Sequence, residues 1–381
     1  MKKYRQFNLT FLGLVFPGLL SFGLFNLAVD PYGVMNNQNL FGLELLKIKK
    51  IISVRLFKAV DVTRIQPKTL LLGSSRSDLG LDPKHPAFKN KQPAYNLALV
   101  GPNIYEVKRY FEHALKNQPE LKTVVIGIDF FMFNKYKVNE ADFNEKRLEK
   151  TSLIPQDFVN VSFSIDALDA SQETIKASVN SDAYYLYHPD GLRYVYQNKP
   201  NEPIPKKFKG MLSGLMRGEG YYKKYQLSTV FLNDLKDIVE TCQKRNINLK
   251  IFISPSHASQ WESIQTVGLW SAFEDWKREI VKITPVWDFS GYNTITTEPI
   301  TKNMKNYWDS SHYRKEVGDL VMNRLFDYQN EIVPKDFGIL ITESNIESHL
   351  QKIRDRQEIW GNNNPDVVQL VEKLKPEEIE E

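Results

Sequence analysis

Cysteine is almost missing: Cys242 stands alone in 381 residues, which excludes an internal disulfide. It falls at helical spacing from Leu232, Leu235 and Val239, the setting of a buried structural thiol rather than a reactive one. A strong charge of either sign is missing too. The net charge is +4, and Lys2, Lys3 and Arg5 supply much of it before any domain begins. No basic footprint remains for nucleic acid. The sequence has no internal repeat, no metal-ligand spacing and no glycine-rich phosphate loop after its first strand. What is present is the composition of a folded protein, 42% hydrophobic, 25% charged and 12% aromatic. The length suits one large domain or two modest ones.

A long hydrophobic run does occur. After MKKYRQ (residues 1–6), residues 7–29 carry no charge, enough to span a bilayer. No cleavage site precedes Asp30, and a secretory signal has a shorter apolar core. Gly13, Pro17, Gly18 and Gly23 would weaken a soluble helix but are tolerated in membrane spans. Cations precede the run and none follows for a dozen residues. The expectation is an uncleaved single-pass anchor in the plasma (inner) membrane, amino terminus inside, with the bulk of the chain extracytoplasmic. Residues 30–64 form a juxtamembrane segment. Apolar positions in 40–62 recur at helical intervals among Lys47, Lys49, Lys50, Arg55 and Lys58. Such a helix either lies on the membrane surface or packs on its own domain.

From residue 68 strands alternate with helices. KTLLLG (68–73), AYNLAL (94–99), KTVVIGIDFF (122–131), LKIFISP (249–255) and TPVWDF (284–289) read as buried strands. Amphipathic helices follow Asn103 and Ser228, and another occupies roughly 261–281. This alternation predicts an α/β domain over 65–335, a parallel sheet covered by helices on both faces. Active sites of such sheets lie at the carboxyl ends of the strands. Residues 132–226 break the alternation and read as an insertion on that edge, rich in tyrosine (Tyr184, Tyr185, Tyr187, Tyr194, Tyr196, Tyr221, Tyr222, Tyr225). These rings either face a sugar or cover the insertion's own core. Residues 336–381 read as an acidic, peripheral helical tail.

LLLGSSRS ends a buried run abruptly on Gly73, Ser74 and Ser75. That is either an ordinary turn or a serine nucleophile, which needs a base and an orienting partner. Of six histidines, His85, His113, His188 and His349 read as surface or packing residues. His257 follows a strand end. His312, with Asp309 three residues before it, suits the base of a Ser-His-Asp relay, although Asp-x-x-His alone also describes a helix cap.

Taken in order, these blocks resemble the SGNH (GDSL-like) hydrolase superfamily over about 65–330. LLLGSSRS is similar to its Gly-Asp-Ser block, with Ser74 in place of the aspartate and Ser75 at the nucleophile. YNLALVGPN is similar to the second block and VVIGIDFF stands at the third. DSSH matches the closing Asp-x-x-His. FISPSH, VWDFSGYN and YWDSSHY, with the anchor, resemble the membrane-bound branch that includes alginate O-acetylation proteins. The resemblance implies a three-layer flavodoxin-like domain with Ser75, His312 and Asp309 catalytic. Backbone N–H groups of Ser75 and Gly101 would form the oxyanion hole. It also implies acyl transfer or ester hydrolysis on an exported polysaccharide or envelope glycan, with no metal or organic cofactor. The acyl donor would be a membrane-bound O-acyltransferase.

One position departs from the pattern. The third block usually offers asparagine as an oxyanion donor, and here it holds Asp129, whose carboxylate would repel the oxyanion. Three readings stay open. Asp129 pairs with Arg76 and orders the nucleophile turn, with Asn103 donating instead; or it is a structural cap; or the chain is a silent, glycan-holding scaffold of an export complex. His257 joins Arg76 and Asp129 as a site-shaping candidate.

Overall fold

The structure, a computed structural model, describes residues 2–183, 185–195 and 202–376. Its principal elements begin with α1 (Lys2–Val29), α2 (Val54–Ile65), β1 (Thr69–Leu72), α3 (Ser75–Gly80), β2 (Ala94–Asn96), α4 (Ile104–Asn117) and β3 (Thr123–Ile128). Next come α5 (Pro155–Phe163), α6 (Ile165–Asn180), α7 (Ile204–Arg217), α8 (Thr229–Lys244), β4 (Asn248–Ile253), α9 (Ala258–Thr266) and α10 (Trp270–Ile283). Last are β5 (Val286–Asp288), α11 (Lys315–Phe326), β6 (Ile339–Ile341), α12 (Ile346–Asn363) and α13 (Pro365–Leu374). The chain divides into two compact units.

The first unit comprises the described residues of Met1–Arg64, Asn144–His188 and Arg193–Asn201. α1 is long and apolar enough to cross a membrane. The segment after it is not one amphipathic helix. It forms two short paired strands, a 3-10 turn (Ile48–Ile52) and then α2. Lys47, Lys50, Arg55 and Lys58 all turn inward and are buried. Lys47 donates to the carbonyl of Val29 at 2.5 Å, and Lys50 sits 4.3 Å above the Phe57 ring. Cations buried in this way cannot serve a lipid surface, so of the two readings the packed one holds.

The second unit comprises Ile65–Phe143, Pro189–Leu192 and the described residues from Glu202 onward. Its sheet runs β6-β5-β4-β3-β1-β2, parallel throughout except that β6 lies antiparallel on β5. β1 and β3 are wholly buried, which is why they read as unbroken apolar runs rather than alternating ones. Right-handed crossovers put α4, α8 and α10 on one face and α3 on the other, and the packing of α4 on α8 and of α3 on α11 agrees. Asn103 and Ser228 cap α4 and α8 as expected. The helix expected over 261–281 is two, parted at Gly268, whose φ of +76° a continuous helix cannot hold.

Two expectations need correcting. The 132–226 stretch is not one insertion, because residues 144–188 belong to the first unit while 202–226 belong to the second. Tyr185, Tyr187 and Tyr194 serve the first unit's own packing: Tyr187 meets Phe57 edge-on at 4.8 Å and Tyr194 stacks on His188 at 4.1 Å. Tyr184 and Tyr196 lie outside the described residues, as do the last five of the acidic tail. The tail is also more than peripheral. It supplies β6, and His349 of α12 reaches Asp288 at 2.7 Å, where Lys277 also binds.

Candidate active site

Chain order reverses between β1 and β3, since β2 lies to one side of this pair and β4 to the other. Side chains leaving the carboxyl ends of β1 and β3 therefore meet at the switch point of the sheet. Gly73 follows β1 with φ +140°, and a Cβ there would collide with Ser77 Oγ and stand 2.7 Å from the Gly127 carbonyl. Only glycine allows so tight a turn. It swings the chain directly into α3, whose first residue is Ser75.

His312 arrives on a loop pinned at both ends. Tyr307 and Tyr313 pair across an isolated antiparallel bridge, and both are fully buried in the core. Backbone bonds from Trp308 to His312 (2.9 Å) and from Arg314 to Asn306 (2.8 Å) close the hairpin. At its tip Asp309 Oδ1 accepts the N–H groups of Ser311 and His312 at 2.8 and 2.9 Å. Asp309 is thus the hub of this turn and not a helix cap; α11 begins only at Lys315. Its other oxygen, Oδ2, accepts from His312 Nδ1 at 2.8 Å. His312 Nε2 then lies 2.8 Å from Ser75 Oγ.

The electrostatics follow from these bonds. Burial opposes charge on Asp309, but the adjacent imidazole and the three hydrogen bonds outweigh it, holding the carboxyl below its ordinary range. An ionised Asp309 fixes the proton on Nδ1 and leaves the Nε2 lone pair facing the serine hydroxyl. That is the geometry by which imidazole takes a proton from an attacking serine.

Asp129, at the end of β3, does not face an oxyanion. Its Oδ1 accepts from Arg76 Nη1 and its Oδ2 from Ser74 Oγ. Arg76 Nε continues to Ser311 Oγ at 2.9 Å. One buried ion pair thus ties the serine turn, through Ser74 and Arg76, to the histidine loop, through Ser311. Of the three readings, pairing with Arg76 is what the structure contains; the Asp129 side chain makes no capping bond.

Asn103 is corrected as an oxyanion donor. Its amide donates to Lys137 O and Asn139 Oδ1, both at 2.9 Å, while its Oδ1 caps α4. Both N–H bonds of the amide are already made. Gly101 makes no such side-chain bond, and Leu99, two residues before it, donates its N–H to Gly73 O at 3.0 Å, tying that segment to the end of β1. Tyr221, one of the tyrosines singled out in the sequence, borders Gly101 together with Glu140, which the sequence did not point to: Glu140 Oε1 and Tyr221 OH lie 3.0 and 3.1 Å from where a Gly101 Cβ would stand. Lys137 joins them, 2.6 Å from Glu140 Oε1.

His257 works through backbone. It is buried and caps α9 through Nδ1, while Nε2 donates to Glu298 O at 2.7 Å. Burial pushes its pKa down to about 4, so it is neutral. Its own N–H holds the carbonyl of Ser310 at 3.1 Å, supporting the turn that presents His312. His85 and His113 are buried rather than exposed. Among the described residues no group of His, Cys, Asp and Glu has the arrangement of a metal site. Compared with known proteins, the chain matches no protein-family model and no curated sequence.

Proposed function

We propose that this chain is a membrane-anchored serine acyltransferase or esterase of SGNH type, acting on O-acyl groups of an exported polysaccharide or envelope glycan. The observation that carries the chemistry is the continuous Ser75–His312–Asp309 relay, two contacts of 2.8 Å each. The strand order β2-β1-β3-β4-β5 supports it, being the flavodoxin-like order with the serine at the switch point. The apolar α1 supports the anchor.

His312, oriented by Asp309, takes the Ser75 proton as Oγ attacks the acyl carbonyl. The backbone N–H groups of Ser75 and Gly101 receive the charge that develops on oxygen. Collapse of the tetrahedral adduct expels the donor's oxygen, which takes the proton back from His312 and leaves an acyl-serine. A sugar hydroxyl, deprotonated by the same imidazole, then accepts the acyl group; where water takes its place the product is the free acid. A membrane-bound O-acyltransferase fits as donor. The silent-scaffold alternative rested on Asp129 repelling an oxyanion, and the Arg76 pair neutralises that charge.

The test is intact-mass spectrometry of the full chain in detergent with a small activated acetyl ester. An acetyl adduct is expected on the wild type and on neither Ser75→Ala nor His312→Ala. An adduct that persists in both variants, or none at all on folded wild-type protein, overturns the proposal. Adding oligosaccharides then separates transfer from hydrolysis.

A further inference from the structure

The two halves of α1 have different surroundings. The large side chains described from Tyr4 to Leu20 are exposed and nearly all apolar. From Gly23 onward one face is built into the first unit. Gly23 lies so close to the Phe163 ring that a Cβ would collide with it. Asn26, fully buried, donates to Ser162 O and accepts from Ser171 Oγ, both at 2.9 Å. A polar residue in this helix is thus satisfied by α5 and α6 rather than by water.

Length then decides where the bilayer ends. From Phe7, the first apolar residue after Arg5, to Phe22, the last before the packed face, the helix climbs about 24 Å at 1.5 Å per residue. A hydrocarbon core is about 30 Å thick. The remaining distance of about 6 Å falls on Gly23 to Asn26, the level at which Phe163 and Ser162 of α5 lie against α1.

At that level α5 carries what a lipid-facing helix needs. Phe158, Val159 and Phe163 are all exposed, the two phenyl rings are 6.2 Å apart, and Ile165 just beyond is 75% exposed. Other exposed positions of the helix, Pro155, Gln156 and Asn160, bear no charge. A water-facing helix of this length would be expected to spend such positions on polar side chains.

We infer that α5 is a second membrane-contacting element, lying beside α1 at the outer edge of the bilayer with Phe158, Val159 and Phe163 against the acyl chains. The occupant is lipid because this face continues the exposed apolar surface of α1 through the Gly23–Phe163 contact. Acyl-chain contact without cationic neighbours on the helix also makes the docking insensitive to salt and to anionic headgroups. This inference rests on reading α1 as a membrane span.

The test uses the full chain in phosphatidylcholine vesicles containing acyl-chain-brominated lipid. An environment-sensitive fluorophore is placed on Val159→Cys, Phe163→Cys, Val15→Cys in α1 or Val179→Cys, one site per protein; the native Cys242 is buried. Val179, 67% exposed near the end of α6 and beyond its contact with Asn26, is the water-facing reference. Lipid quenching at residues 159 and 163 is expected to exceed that at 179 severalfold, with the opposite order for aqueous iodide, and to persist in high salt. Quenching at 15 but only reference levels at 159 and 163 overturns the α5 contact alone. No quenching at 15 overturns the anchor and the inference together.

Discussion

Arg76 and Asp129 are 2% and 1% exposed, so neither charge has water to fall back on. Removing one partner leaves the other buried and uncompensated, at about 3–5 kcal/mol. Asp129→Ala should therefore lower the denaturant midpoint sharply and slow Ser75 acylation as well. The double variant Arg76→Met with Asp129→Leu should recover most of the stability, because apolar residues fill the space without a stranded charge. It should not recover the acylation rate, since Ser74 and Ser311 lose the groups that hold them. Wild-type stability in Asp129→Ala, or full activity in the double variant, would show the pair to be incidental. At this scale the sequence exposes the unusual residue and not its partners. Asp129 stands out against an expected asparagine, whereas Ser74 and Ser311 are common side chains whose meaning comes only from where the chain brings them.

Among elements, the loop from Asn306 to Arg314 matters most, because it carries both Asp309 and His312 of the proposed relay. His257 supports it from below and must stay neutral to keep its two bonds. An unfolded imidazole takes a proton near 6.5, while this one resists until about 4. The unfolded chain therefore binds a proton first as the pH falls. The contribution of this residue to stability is full above 6.5 and is lost between 6.5 and 4, by about 3 kcal/mol. His257→Asn keeps a capping oxygen and removes the titration. Its unfolding free energy should fall less than the wild type's between pH 7 and pH 4, by about that amount; parallel profiles would refute the assignment. The strands of the sheet centre were legible because burial on both faces writes itself as unbroken apolar runs such as TLLL and TVVIGI. β6 was not. Three residues on an edge, two exposed and only Ile341 buried, carry no such signature, and their pairing with β5 joins positions about fifty residues apart. The Asp309–His312 spacing was legible for the opposite reason, being local, while the Ser75–His312 contact spans 237 residues and no local pattern reveals it.

For the whole molecule, the helix long and apolar enough to cross a membrane and the Ser75–His312–Asp309 relay fall on different units. Ser75, Asp129, Asp309 and His312 belong to the second, and α1 and α5 to the first. The sequence hid this division because residues 144–188 sit in the middle of the α/β pattern yet fold with the amino terminus. Contacts as distant as Asn26 with Ser171 make that unit. The packed half of α1 belongs to it structurally, while the stretch before Phe22 adds to the length that makes α1 long and apolar enough to cross a membrane. Deleting residues 2–21 should thus leave Phe22–Val29 to complete the first unit and leave the serine relay untouched. The expected product keeps wild-type reactivity of Ser75 toward a fluorophosphonate probe, yet alkaline carbonate strips it from membranes that retain the full chain. Retention after carbonate treatment would mean that the span is not what holds the protein. Lost labelling, in protein whose melting transition is unchanged, would mean that the anchor reaches the chemistry after all, and the division between the two units would have to be redrawn.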